Sequence, residues 1–372
     1  MAIPGFLIIP YLVGKTIYIP IKKFLHITLN FDIISKFIIY WCAGFITLTL
    51  IAYFLYYFWL FDAKIYVVML LIVMAIGIVY KEPNNLISFV NLYRDNKLVL
   101  LFILLPLLLG IIAAVYMTYF SPYPYSQSAD SLNHSYISMT IIKKNFFMDV
   151  AGYPLSLHII ASTIIQLFNI YNDPYTLWWS ARFIVYPIYS IGLYLFSYQI
   201  SKNRTLSLFT SILGIFTISH LPAPLYFTDF APKTIVMVIF PYFLLFIYKY
   251  IPPMFRDMQL RQVIYTFPII FINFALFSLT MIVVWSAICV GRIEGDQSFS
   301  GGILLPACFA FSLFSIKHPF KNIAQKNFLF LSILIMTSLL IFHALLGVFA
   351  FFFLSCAIIF FLLKIYNVRK IY

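Results

Sequence analysis

Long apolar runs separated by short polar breaks set the rhythm of this chain. Ten runs read as membrane helices: 37–60, 64–80, 98–119, 177–200, 204–220, 234–250, 263–285, 302–316, 328–342 and 345–363. A helix needs about 20 apolar residues to cross a hydrocarbon core about 30 Å thick, and the shorter runs have soft ends. The predicted fold is all-α: a polytopic transmembrane bundle of about ten spans, forming one integral membrane domain over residues 1–372. Two segments fit less simply. Residues 1–14 are apolar, but Pro4, Gly5, Pro10 and Gly14 interrupt them, so a re-entrant or interfacial piece is expected. Residues 154–171 are apolar too, and either re-enter or span.

The main polar interruption runs from Ser121 to His158. Its first part, 121–153, is expected to be an external loop, of catalytic type if its polar residues carry chemistry. A helix over 131–143 would align Asp130, His134 and Ser138 at i, i+4 and i+8, with Leu132, Tyr136, Met139 and Lys143 on the opposite side. Such a helix lies at the interface, its apolar face towards lipid or protein and its Asp/His face towards a cavity.

Composition narrows the class. The chain is 63% hydrophobic and 9% charged, against about 25% charged in soluble domains. A water-soluble core could not hide that much apolar surface. No secretory cleavage pattern is evident, and no soluble C-terminal domain is expected. A net charge of +13 would suit nucleic acid in a soluble protein. Here the lysines read as orientation signals, and no nucleic-acid partner is expected.

If 154–171 does not cross, Lys64, Lys143, Lys144, Lys233 and Arg292 fall outside and Arg182 falls within a span. The other Lys and Arg residues then lie on the cytoplasmic side, with both termini. If it crosses, the bias collapses, so the positive-inside rule favours a partly inserted segment. The expected localisation is the cell membrane, multi-pass. The same topology gathers Asp62, Asp130, Asp149, Asp173, Asp229, Glu294 and Asp296 outside.

Cys42, Cys289, Cys308 and Cys356 show no zinc or redox spacing and read as packing residues. No Walker A or GxGxxG motif occurs, and no inverted pair of broken helices is evident.

Two readings of the polar stretch stand on the residues alone. In one, Asp130 caps a helix, His134 is an exposed polar residue and the lysines sit among headgroups. In the other, Asp130 is a general base in a partly desolvated cavity, where a carboxylate pKa rises. Attack of a hydroxyl or amide on an activated sugar needs such a base. A departing lipid phosphate needs cations, and Lys143, Lys144, Lys233 and Arg292 are the external ones. His134 and His158 would orient the base or touch the phosphate.

Asp130-Ser131-Leu132-Asn133-His134 follows a span, and Tyr153-Pro154-Leu155-Ser156-Leu157-His158 then opens an apolar segment. This arrangement resembles the GT-C class of membrane glycosyltransferases, which includes protein O-mannosyltransferases, aminoarabinose transferases and the catalytic subunit of oligosaccharyltransferase. Arg182 in SARFIVYP, FTDFAPK in a second external loop and FHALLGVFAF around His343 extend the likeness.

The resemblance implies a polyprenyl-phosphate sugar donor and a glycan, lipid or protein acceptor. It also implies transfer on the extracytoplasmic face, with Asp130 as the base. Tyr153, His158, Arg182 and Asp229 join the substrate-binding candidates. Where a divalent cation serves, Mg or Mn would take Asp130 and Asp229 as first oxygen ligands. The chain departs from the class in lacking an acid adjacent to Asp130 and in carrying Leu155 where Tyr-Pro-Pro is common. A transporter, flippase or polymerase-like protein for lipid-linked saccharides is the alternative, and a non-catalytic relative is a third.

Overall fold

The computed structural model describes residues 2–27, 33–57, 60–79, 97–120, 130–144, 155–220, 232–256, 262, 264–266, 268–276, 279, 311–317, 322–342, 352, 355 and 356. Its helices are α1 (Ala2–Leu25), α2 (Ile33–Tyr57), α3 (Ala63–Val79), α4 (Lys97–Phe120), α5 (Asp130–Lys144), α6 (Ser156–Leu167), α7 (Tyr175–Ser180), α8 (Arg182–Ser201), α9 (Arg204–His220), α10 (Pro232–Arg256) and α11 (Ile323–Phe342). Shorter helical pieces lie within 264–276 and 311–317. Among the described residues there is no strand.

The N-terminal expectation is corrected. Pro10 and Gly14 do not break the chain; α1 runs through both as a 24-residue helix. A proline inside a helix strips the carbonyl four residues earlier of its donor. That carbonyl belongs to Phe6, and the Trp41 indole of α2 donates to it at 2.8 Å. A neighbouring helix thus repairs the fault, which is how prolines persist in membrane helices. Gly14 marks a contact rather than a break. A Cβ there would lie 1.7 Å from the Tyr40 carbonyl oxygen, and one on Gly44 would lie 1.8 Å from that of Pro10. The two backbones pack antiparallel at a separation only glycine permits.

Among the described residues, four helices are long and apolar enough to cross a membrane: Gly5–Leu25, Ile34–Tyr56, Tyr175–Ser201 and Thr234–Met254. Shorter apolar helices follow at Ala63–Val79, Leu104–Tyr116, Arg204–Ile215 and Ile323–Leu339. The expected spans at 263–285, 302–316 and 345–363 lie partly or almost wholly outside the described residues. Leu104, Leu108, Ile111 and Val115 of α4 are exposed along one side. An apolar stripe of that kind belongs against lipid rather than water.

Two groups of helices meet around α2 and α10. In one, α1 packs on α2 and α3; in the other, α8 packs on α4, α9 and α10. Between them sits α6, in contact with α1, α2, α3, α5 and α11. Every α6 residue from Ser156 to Ile165 is buried.

A candidate buried histidine site

The candidate site is built where α5 lies against α6 and α7. On α5 the inward residues are His134, Ser135, Ile137, Ser138, Thr140 and Ile141, while Leu132, Tyr136, Lys143 and Lys144 are exposed. That is a helical period of 3.6, with the serine and threonine hydroxyls turned back onto their own helix. Ser138 Oγ donates to the His134 carbonyl at 2.9 Å and Thr140 Oγ1 to that of Tyr136 at 3.0 Å. Lys143 and Lys144 end the helix, where positive charge complements the negative end of the helix dipole. The expected division of faces holds, but His134 packs into protein instead of being an exposed polar residue.

The start of α6 is fixed from α2. The Leu155 backbone N–H donates to the Tyr53 hydroxyl at 3.0 Å. Its end is set by Asn169 in the left-handed conformation, φ 55°. Asn169 N–H returns to Gln166 O and Ile170 N–H to Ile165 O, the two bonds of a Schellman close. With 12 residues, α6 is about 18 Å long, well short of the roughly 30 Å hydrocarbon core. After the turn, the Asp173 carboxylate accepts from the Thr176 backbone and hydroxyl at the head of α7.

These constraints bring His134 and His158 together. His134 Nδ1 and His158 Nε2 lie 2.8 Å apart, a hydrogen bond in which one ring donates and the other accepts. Trp178 of α7 covers both, stacked on His134 at 5.2 Å between ring centroids and tilted against His158 at 5.5 Å. All three side chains are buried. Among the described residues, His158 Nδ1 has no hydrogen-bond partner. Burial pushes the His158 pKa well below its ordinary value, and the neighbouring His134 lowers it further. The pair holds one hydrogen-bonded proton between His134 Nδ1 and His158 Nε2.

Arg182 opens α8 one turn beyond Trp178 and is almost fully buried. Its Nε donates to the Trp179 carbonyl at 2.9 Å, and its guanidinium lies 4.8 Å from the centre of the Trp179 ring. A buried guanidinium needs such hydrogen-bonding and π-face contacts to offset its lost hydration.

Of the residues singled out from sequence, the structure joins His134 and His158, with Arg182 on the helix that continues from their tryptophan cover. Lys143 and Lys144 are exposed at the far end of α5, about 14 Å along the axis from His134. Asp130 is the first residue of α5, one turn before His134, and Lys233 is the second of α10; the side chains of both lie outside the described residues. Tyr153, Asp229 and Arg292 lie wholly outside them. Among the described residues, no three His, Cys, Asp or Glu side chains converge as metal ligands. Sequence reasoning missed Trp178 and Tyr53, both hidden inside apolar runs. The available signals were the Trp178-Trp179 pair just before Arg182 and a tyrosine near the end of a long helix.

A scan of protein-family models and searches of curated proteins and of solved structures find no match to this chain.

Proposed function

We propose that this chain is a membrane glycosyltransferase of the GT-C type, moving a sugar from a polyprenyl-phosphate donor to an acceptor on the extracytoplasmic face. The observation that carries the reading is the 2.8 Å contact between His134 and His158. It joins the two pieces of the resemblance, Asp130-x-x-x-His134 and the Tyr153–His158 head, across 24 residues of sequence. A structural loop has no need to bury two histidines against each other under a tryptophan. A proton-transfer site does, because an imidazole pair removed from water keeps a defined tautomer.

Asp130 is the base in this reading. It takes the acceptor proton as the acceptor oxygen or nitrogen bonds to the sugar and the bond to the phosphate breaks. His134, one turn along the same helix, stands next in line to accept that proton and share it with His158. The phosphate leaves as an anion and calls for cations, for which Lys233 and Arg292 remain the external candidates. Where a divalent cation serves, it would neutralise the same leaving group. The length of α6 supports a partly inserted helix, which keeps the polar loop and the start of α8 on one side.

The test is a transfer assay in membranes with labelled polyprenyl-phosphate sugars. Asp130→Asn should insert at wild-type level and lose transfer by about 10²-fold or more, the usual worth of a positioned base. Equal transfer by the two proteins would remove Asp130 from the mechanism. Flipping of a lipid-linked sugar without any transfer would establish the transporter reading instead.

A further inference from the structure

A second feature lies apart from the histidine site and is independent of any transferase activity. Between α1, α2, α11 and the 311–317 helix runs a shallow, partly open groove that encloses about 50 Å³. Its walls are nearly all apolar, among them Ile17, Ile21, Ile46, Leu313, Ile316 and Leu334.

Charge is placed at one end of it. Lys22 lies one helical turn beyond Tyr18, and Lys317 one turn beyond Leu313; Tyr18 and Leu313 both line the groove. Side chains four apart on a helix share a face, so both lysines continue the groove wall. Both are half-buried. Lys317 Nζ sits 3.7 Å from the centre of the Phe24 ring, and Phe24 meets Phe314 edge-on at 6.4 Å. Phe24 and Phe314 are 39% and 54% exposed, so the mouth is basic, aromatic and open. An open apolar groove ending in two lysines matches an amphiphile whose hydrocarbon tail lies along it and whose anionic head meets the lysines. Basic pockets between membrane helices hold lipid phosphates in this way.

The groove also lies far from the candidate chemistry. Gly5, near the start of α1, packs on Ile164 and Phe168 beyond the end of α6. Lys22 is 17 residues further along α1, about 25 Å away. A donor lipid must bring its phosphate to the Asp130 end, whereas a lipid seated here keeps its phosphate at the opposite end of α1. We infer that this groove binds a diacyl anionic phospholipid as a structural ligand, its acyl chain between α1, α2 and α11 and its phosphate against Lys22 and Lys317.

The experiment is lipid titration of the detergent-purified full chain, read by native mass spectrometry. The probes are phosphatidylglycerol, phosphatidylcholine with the same acyl chains, glycerol 3-phosphate and a polyprenyl phosphate. Phosphatidylglycerol should bind about tenfold or more tightly than phosphatidylcholine, given the contribution of two lysines near a lipid phosphate. Lys22→Gln with Lys317→Gln should bring the two lipids to parity. Leu313→Trp, which fills the trough and leaves both lysines, should weaken phosphatidylglycerol binding by a similar factor, with helix content by circular dichroism unchanged.

Equal binding of the two phospholipids by the wild type would overturn the inference, leaving only bulk lipid contact. So would phosphatidylglycerol binding that neither variant weakens. Full displacement by glycerol 3-phosphate would mean that the trough contributes nothing. Preferential binding of the polyprenyl phosphate would make the groove a donor site.

Discussion

His158 illustrates how much a single residue type leaves open until its neighbours are known. A histidine in an apolar segment reads equally as a packed core residue or as a proton-transfer group. The structure buries it completely, sets its Nε2 on His134 and covers both rings with Trp178. Burial holds His158 neutral, so below its ordinary pKa of 6.5 the folded chain binds fewer protons than the unfolded one. Its contribution to stability is therefore intact above that pH and falls as pH drops through and below it. Thermal unfolding of the purified chain at pH 7.5 and pH 5 should show a loss at the lower value. His158→Gln, which keeps a hydrogen-bonding side chain without an imidazole, should show a smaller loss. Equal pH slopes for the two proteins would mean that His158 takes up its proton as readily in the folded chain as in the unfolded one, so that burial does not hold it neutral.

The element-level errors of the sequence reading share one cause. Pro10 and Gly14 look like breaks because, in isolation, a proline removes a helix hydrogen bond and glycine is a poor helix former. Both objections vanish once α2 is alongside. Trp41 supplies the missing donor to Phe6, and the glycines allow the close approach of α1 and α2. No pattern within residues 1–14 carries that information, because it resides 30 residues downstream.

The opposite case is α5. Its face division was legible from spacing alone, since His134 and Ser138 fall on one side and Leu132 and Tyr136 on the other. Sequence could not show that the polar side faces protein, because α6 and α7 reach it only through the Asn169 turn. Substitution separates the two contributions at the α1–α2 contact. Trp41→Phe keeps the packing but leaves the Phe6 carbonyl without its donor, an expected loss of about 1–3 kcal/mol. Gly44→Ala drives a methyl into the Pro10 backbone, and overpacking of that kind costs about 1–3 kcal/mol even where side chains can yield. Denaturant titration of both variants measures the losses; a neutral Gly44→Ala would show that the helices separate freely.

For the whole molecule, the antiparallel packing of α1 on α2 changes the expected arrangement of the chain across the bilayer. With α1 read as an interfacial piece, both termini were expected in the cytoplasm. As a helix of 24 residues, α1 is about 36 Å long and sufficient to cross. Lys22 and Lys23 close it, and on the positive-inside rule they are expected, with Lys36, in the cytoplasm. Its first residues are then expected on the other face, the face on which the charge distribution would put the Asp130 loop. The start of α6, tied to Tyr53 near the end of α2, lies towards that same face. The short α6 must return without crossing if the basic residues after it are to stay inside.

Site-directed labelling tests the whole arrangement. In a background with Cys42, Cys289, Cys308 and Cys356 replaced by serine, single cysteines at Ala2, Ser128 and Ser201 are exposed to a membrane-impermeant thiol reagent on intact cells. Ala2→Cys and Ser128→Cys should label, and Ser201→Cys should label only after permeabilisation. Labelling of Ser201→Cys on intact cells would mean that residues 154–171 cross, which would move every later basic loop outward. Protection of Ala2→Cys alone would return α1 to the interface and leave the placement of the histidine site intact. The three positions therefore separate an error in α1 from an error in α6. Only the second would place the start of α8, and Arg182 with it, on the far side from Asp130 and so remove the geometry on which the transferase reading depends.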